Sequence, residues 1–238
     1  MKAVCLRKIN LNLKLSQGGT HDCWQHPADD NLCVKTARLD KFKSRTRGLY
    51  DFLYFLRHLK FKTSLEDVIQ NMRREIKIYK IVNKLLPGRV AEVYNLIETD
   101  KGLGLVCELV RDFDGSASPD LYKYFKSGQD TQKLLTGLNW IAKRIIMRDL
   151  FFLDFNRGNF AAKTLSDNKI IIILIDIKSL NRTGFQGFLH IERILSPLAR
   201  IIMYRRLKRL YKSLNLEFKL NNLCRKKFLS NLIVKIRI

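Results

Sequence analysis

Asp154-Phe155-Asn156-Arg157-Gly158-Asn159, followed by Phe160 to Lys163 and then by Ile170-Ile171-Ile172-Ile173-Leu174-Ile175-Asp176, decides how this chain is read. An Asp and an Asn stand on one tight loop, two short apolar segments follow, and a second Asp closes the second segment. The spacing has a chemical use. The loop can present Asp154 to a hydroxyl proton and Asn159 to a metal ion, and a hairpin returns the chain so that the Asp176 carboxylate meets the same metal. An Asp and Asn at this spacing are a weak signal alone; the strand-turn-strand context on the C-terminal side strengthens it. Each residue also has an ordinary use, since Asp and Asn commonly cap turns.

Working outward, the segments on either side differ in periodicity. Leu11 to Leu15 alternates as a half-buried strand, Asp22 to His26 reads as a second strand stopped by Pro27, and Asn31 to Thr36 as a third. Gln17-Gly18-Gly19-Thr20 is the first turn. Thr63-Ser64 with Glu66-Asp67 opens a helix that carries Val68, Met72, Ile76, Tyr79, Val82 and Leu86 on one stripe and stops at Pro87-Gly88. Val90 to Glu98 and Leu103 to Val110 form a hairpin. Asp112 to Pro119 is polar, with Gly and Ser, and reads as a linker. Beyond it the period becomes helical over Asp120 to Lys126 and Thr131 to Met147. A last helix is expected over Leu189 to Leu214, with Arg205, Arg209 and Lys212 on one outward side. Segment 38–62 is basic and aromatic-rich, with no motif that assigns it a role.

The chain has 238 residues, 46% hydrophobic, enough for one large domain or two small lobes. Its net charge of +23 points to anionic partners: a nucleotide, a phosphorylated ligand, an anionic membrane surface or nucleic acid. AT-rich coding, which raises Lys, Asn and Ile together, is a second source of that charge. The five cysteines are scattered without a C-x-x-C pair, which argues against a disulfide framework or a zinc site and fits a reducing cytosol. The first residues have no signal-peptide core, and no run approaches a membrane span. The expected location is the cytoplasm, with at most peripheral contact at the inner membrane.

The half with strands and one helix, the linker, and the helical half with the loop match the order of parts in the protein-kinase-like fold. There Lys35 on the third strand would hold nucleotide phosphates, Glu75 on the first helix would pair with it, Asp154 would take the acceptor proton, and Asn159 and Asp176 would hold magnesium. Taken singly, Lys35 is more often a solvated strand-end lysine and Glu75 more often a surface ion-pair partner of Arg73, Arg74 or Lys77. Five residues in the right order on the right elements favour a site.

On these residues the chain resembles the YrbL family, the PhoP-regulatory-network proteins of bacteria, a small branch of the protein-kinase-like fold. The resemblance is carried by Gly19 to Pro27, Cys33-Val34-Lys35, Arg74 to Tyr79, Asp112-Phe113-Asp114-Gly115 and Asp154 to Asn159, and it covers most of the chain. It implies an α+β fold with a small antiparallel sheet lobe over 1–111, a linker over 112–119 and a mostly helical lobe over 120–238. It also implies ATP and Mg in the cleft between the lobes, with Gly18 and Gly19 at the phosphates.

Departures from the wider kinase pattern narrow the expected activity. Gly18-Gly19 stands in place of G-x-G-x-x-G, Phe152-Leu153-Asp154 in place of H-R-D, and Asp176-Ile177-Lys178 in place of D-F-G, and no A-P-E follows. The missing peptide platform favours a small-molecule or lipid-linked saccharide acceptor over a peptide. A pseudokinase serving as a regulatory binding module is the alternative, and a basic nucleic-acid-binding protein a further one. A second register, with Met147-Arg148-Asp149-Leu150 as the H-R-D-L equivalent and Asp154 at the metal position, fits less well. In the first register Asn159 directly precedes a strand.

Overall fold

The computed structural model of the protein describes residues 8–17, 21–38, 65–147, 155–177 and 203–218. They fall into two compact units. One takes in the chain up to Ile76 and returns for Val93–Leu109; the other holds Lys77–Glu92 and the chain from Val110 onward.

The first unit is built on five antiparallel strands: β1 (Lys14–Gln17), β2 (His21–Gln25), β3 (Leu32–Ala37), β4 (Val93–Thr99) and β5 (Gly102–Glu108), in the order β1-β2-β3-β5-β4. The expected strands at 22–26 and 31–36 are present to within about a residue. The first strand begins later than expected, at Lys14, because contacts distant in sequence hold the residues before it. Leu11 is buried, and its N–H bonds the Asp100 carboxylate at 2.9 Å. Ile9 bonds Glu98 at 3.0 Å, so this stretch is tied to the β4–β5 turn before the ladder starts. Asp100-Lys101 makes that turn, and Gly102 takes the positive φ of 98° that other residues resist.

Helix α1 (Leu65–Leu85) links the units: it starts in the first, ends in the second, and buries Met72, Tyr79 and Val82 at helical spacing. It ends where Pro87-Gly88 requires, with Gly88 at φ 67°. Ile76 packs on the sheet core of Cys33, Leu105 and Cys107.

In the second unit Asp120 caps α2 (Leu121–Lys126), its carboxylate accepting the Lys123 N–H at 2.7 Å. A single 3-10 turn, Thr131–Leu134, leads into α3 (Leu135–Met147). Leu138, Ile141 and Ile145 of α3 are buried, each worth about 1.5–3 kcal/mol of apolar transfer. Strands β6 (Phe160–Thr164) and β7 (Ile170–Leu174) form the expected hairpin. Residues 89–91 lie parallel on the free side of β7, through Leu174 N–H to Arg89 carbonyl at 2.8 Å and Ala91 N–H to Leu174 carbonyl at 2.9 Å. Helix α3 approaches β7 so closely at Gly137 that an added Cβ would lie 2.8 Å from Ile172 Cγ1.

Residues 112–119, read as a linker, form a hydrogen-bonded turn within the second unit. Arg111 bridges Ala117, Asp112 N–H bonds Ser116, and the Asp112 carboxylate accepts both Ser118 Oγ–H and Thr164 N–H, the latter at 2.9 Å. Phe113 N–H bonds Thr164 carbonyl at 3.0 Å. The polar composition satisfies a tight turn docked on the end of β6 rather than solvating loose chain. Of the helix expected over 189–214, α4 (203–212) falls among the described residues. It buries Met203, Leu207, Leu210 and Tyr211. Tyr211 donates its hydroxyl to Asn139 Oδ1 at 2.9 Å, and burial pushes its phenol well up.

Candidate functional site

The first unit carries Lys35 and Glu75. Lys35 sits on β3, opposite Cys23 of β2 and Leu105 of β5, and is half-buried. Alternation puts it on the same face of the sheet as Cys33. That face is lined by the core onto which Ile76 packs, and Glu75, also half-buried, precedes Ile76 on α1. Lys35 therefore lies on the face of the sheet against which α1, the helix carrying Glu75, packs through Ile76. Cys23, Cys33 and Cys107 are free thiols. Hydrogen bonds to Cys107 and Cys23, then burial, push the Cys33 thiol up, so Cys33 stays uncharged. Holding the Lys35 ammonium against an apolar lining costs free energy that a paired anion offsets. Gly18 and Gly19 lie outside the described residues, as does most of segment 38–62.

The second unit carries Asn159 and Asp176 and joins them through the backbone. The loop after residue 154 ends in a 3-10 turn, Arg157–Asn159, whose start is capped by Asn156: its side chain accepts Gly158 N–H at 3.3 Å, and its carbonyl accepts Asn159 N–H at 2.9 Å. Asn159 is buried, an uncommon position for an amide. Its carbonyl then accepts Ile175 N–H at 2.9 Å and Asp176 N–H at 3.3 Å. The β6–β7 hairpin thus brings the chain back so that Asp176 starts at the carbonyl of Asn159. Asp176 is half-buried. Asp154 lies outside the described residues, as do Arg148 to Leu150 of the second register.

Two residues that the sequence reading did not assign to the site support this arrangement. Tyr79, read only as one member of the α1 stripe, donates its hydroxyl to Ile175 carbonyl at 2.9 Å and accepts Ile177 N–H at 3.2 Å. Arg157, within the quoted loop but given no role, holds the loop to two other elements. Its guanidinium lies 5.0 Å from the Tyr122 ring centroid and 5.4 Å from that of Phe125, both on α2, and it donates to Ser213 carbonyl at 3.0 Å just beyond α4. A cation suits both the aromatic faces and the carbonyl end of a helix. Buried Tyr in a helical stripe and Arg beside a glycine were the available signals; neither is specific.

Asn Oδ1 and an Asp carboxylate are hard oxygen donors, a donor set that suits a magnesium ion better than a thiophilic metal. Among the described residues no helix is long and apolar enough to cross a membrane.

A five-stranded antiparallel sheet with a helix between its third and fourth strands, and a second unit with helices, a loop and a two-stranded hairpin, make this an α+β protein with its elements in the order expected of the protein-kinase-like fold. The family model described as PhoP regulatory network protein YrbL matches residues 8–218, and the chain belongs to that family. No curated protein matches the chain. Among solved structures, the crystal structure of Rad53 1–466 in complex with AMP-PNP is similar at 12% identity, with a TM-score of 0.47. The match covers 90% of this chain and 54% of that one, so this chain spans about half its length.

Proposed function

We propose that this protein is an ATP-dependent phosphotransferase acting on a small-molecule or lipid-linked saccharide hydroxyl. The observation that carries the reading is the junction of Asn159 and Asp176, where one carbonyl accepts both Ile175 N–H and Asp176 N–H. It holds the backbone of a buried amide residue beside that of a half-buried carboxylate residue, and both side chains offer the oxygen donors that a hard cation takes. Bound Mg would neutralise phosphate charge and orient the transferred group. Lys35 would hold the phosphates as a point charge, with Glu75 orienting its ammonium. Asp154 would accept the proton of the acceptor hydroxyl as its oxygen bonds to the γ-phosphorus and the bond to the ADP oxygen breaks.

ADP release from Mg-ATP, measured with and without pools of hydroxyl acceptors, tests the reading. The expected result is acceptor-dependent ADP formation in the wild type, and retained ATP binding without turnover in Asp154→Asn. Nucleotide binding with no turnover on any acceptor would move the protein to the pseudokinase class, a regulatory binding module.

A second element of the proposal rests on α4. Arg205, Lys208, Arg209 and Lys212 are exposed along one side of this helix while its apolar residues are buried. This face suits an anionic surface, which would place the protein at the cytoplasmic side of the inner membrane or beside a phosphorylated saccharide acceptor.

A further inference from the structure

Beyond Leu174 the chain leaves its strand, and a free strand end is a poor place for a metal ligand. Four backbone hydrogen bonds hold the next residues. Two come from the carbonyl of Asn159, as described. The other two come from a single side-chain hydroxyl on α1. Tyr79 Oη donates to Ile175 carbonyl at 2.9 Å and accepts Ile177 N–H at 3.2 Å. These groups belong to the two residues flanking Asp176, so both peptide planes around Asp176 are pinned. Tyr79 is 2% exposed and Ile177 1% exposed, so water does not readily replace the hydroxyl. A hydroxyl can donate once and accept, and this one uses both capacities on the same short segment.

We propose that Tyr79 is the positioning residue for the Asp176 carboxylate, fixing the backbone from which that carboxylate reaches the metal. The proposal rests on the reading of Asn159 and Asp176 as magnesium ligands and extends it to a residue with no metal-ligating chemistry of its own. The sequence requirement is narrow. Phe fills the same space and keeps the apolar contact of the ring but removes both bonds, so Tyr79→Phe separates positioning from packing. Glu75 lies one turn before Tyr79 on the same helix, so α1 carries both the proposed partner of Lys35 and the tether of Asp176.

The test titrates Mg into wild type and Tyr79→Phe at fixed ATP, beside ATP binding in EDTA and thermal unfolding. Tethers of metal ligands typically change metal affinity by about 10–100-fold when removed. The expected result is an Mg midpoint raised at least about tenfold in Tyr79→Phe, with ATP binding in EDTA unchanged. Equal loss in both arms, tracking a fall in melting temperature, would mark Tyr79 as an ordinary packing residue and overturn the proposal. Amide exchange of the ligand-free proteins supplies a second, independent arm. Ile177 N–H should exchange faster in Tyr79→Phe while Ala91 N–H, bonded to Leu174, stays protected. Equal Ile177 exchange in both proteins overturns the tether itself. A wild type that binds no Mg-ATP would instead remove the nucleotide reading, with the tether still decided by exchange.

Discussion

The two units position their candidate residues by different means. In the first, Lys35 and Glu75 are placed by repeat: a strand alternates, a helix turns every 3.6 residues, and Ile76 seats the helix on the sheet. In the second, Asn159 and Asp176 are placed by single bonds: one carbonyl, one tyrosine hydroxyl and one arginine clamp. Repeat spreads the positioning over many side chains, so no one substitution removes it. Single bonds concentrate it, so one lost atom can displace a ligand. The candidate residues of the second unit should therefore be far more sensitive to conservative substitution than those of the first.

The largest expected effect that would sharpen this contrast comes from packing. Gly137→Val would force branched methyls into the space where even a Cβ lies 2.8 Å from Ile172 Cγ1, disturbing α3 against β7. We expect a loss of about 3 kcal/mol in stability, read by chemical denaturation. A neutral result would show that the hairpin is not held by that helix. Next in size is Arg157→Ala. It removes two ring contacts and the bond to Ser213, and should cost about 1–2 kcal/mol while weakening Mg-dependent more than Mg-independent nucleotide binding. Arg157→Lys should restore the charge but not the planar stacking, and so recover only part of the loss. In the first unit the conservative change Cys33→Ser should leave Mg-dependent ATP binding within about twofold. A large loss there would break the contrast. The smallest effect is on the α4 face. Each of Arg205, Arg209 and Lys212 changed to Gln should lower binding to anionic vesicles by about 1 kcal/mol, with the effect screened at high salt. Equal sedimentation with neutral and anionic vesicles would leave the face merely solvated.

The same contrast explains what the sequence could disclose. Strands β2, β3, β6 and β7, the helix stop at Pro87-Gly88 and the stripe on α1 are repeating or breaking patterns, and those are legible one residue at a time. The start of β1 was less so, because the bond from Leu11 to Asp100 links positions far apart in the chain. In segment 112–119, Gly, Ser and Asp suit a linker and a docked turn equally, and the two bonds between 112–113 and Thr164 left no pattern in the sequence. Tyr79 was visible as a buried helix residue but not as a tether, since a hydroxyl's partners across the fold leave no local pattern. Arg157 was hidden for the same reason.

Under the proposed function, Asn159 and Asp176 would hold a magnesium ion for a bound nucleotide. Calorimetric titration of ATP into wild type and Asp176→Ala, each with magnesium and with EDTA, tests it most directly. The account predicts magnesium-dependent binding in the wild type and loss of the magnesium-dependent part in Asp176→Ala, by at least about tenfold, with both proteins equal in EDTA. Identical titrations for the two proteins in magnesium would contradict it.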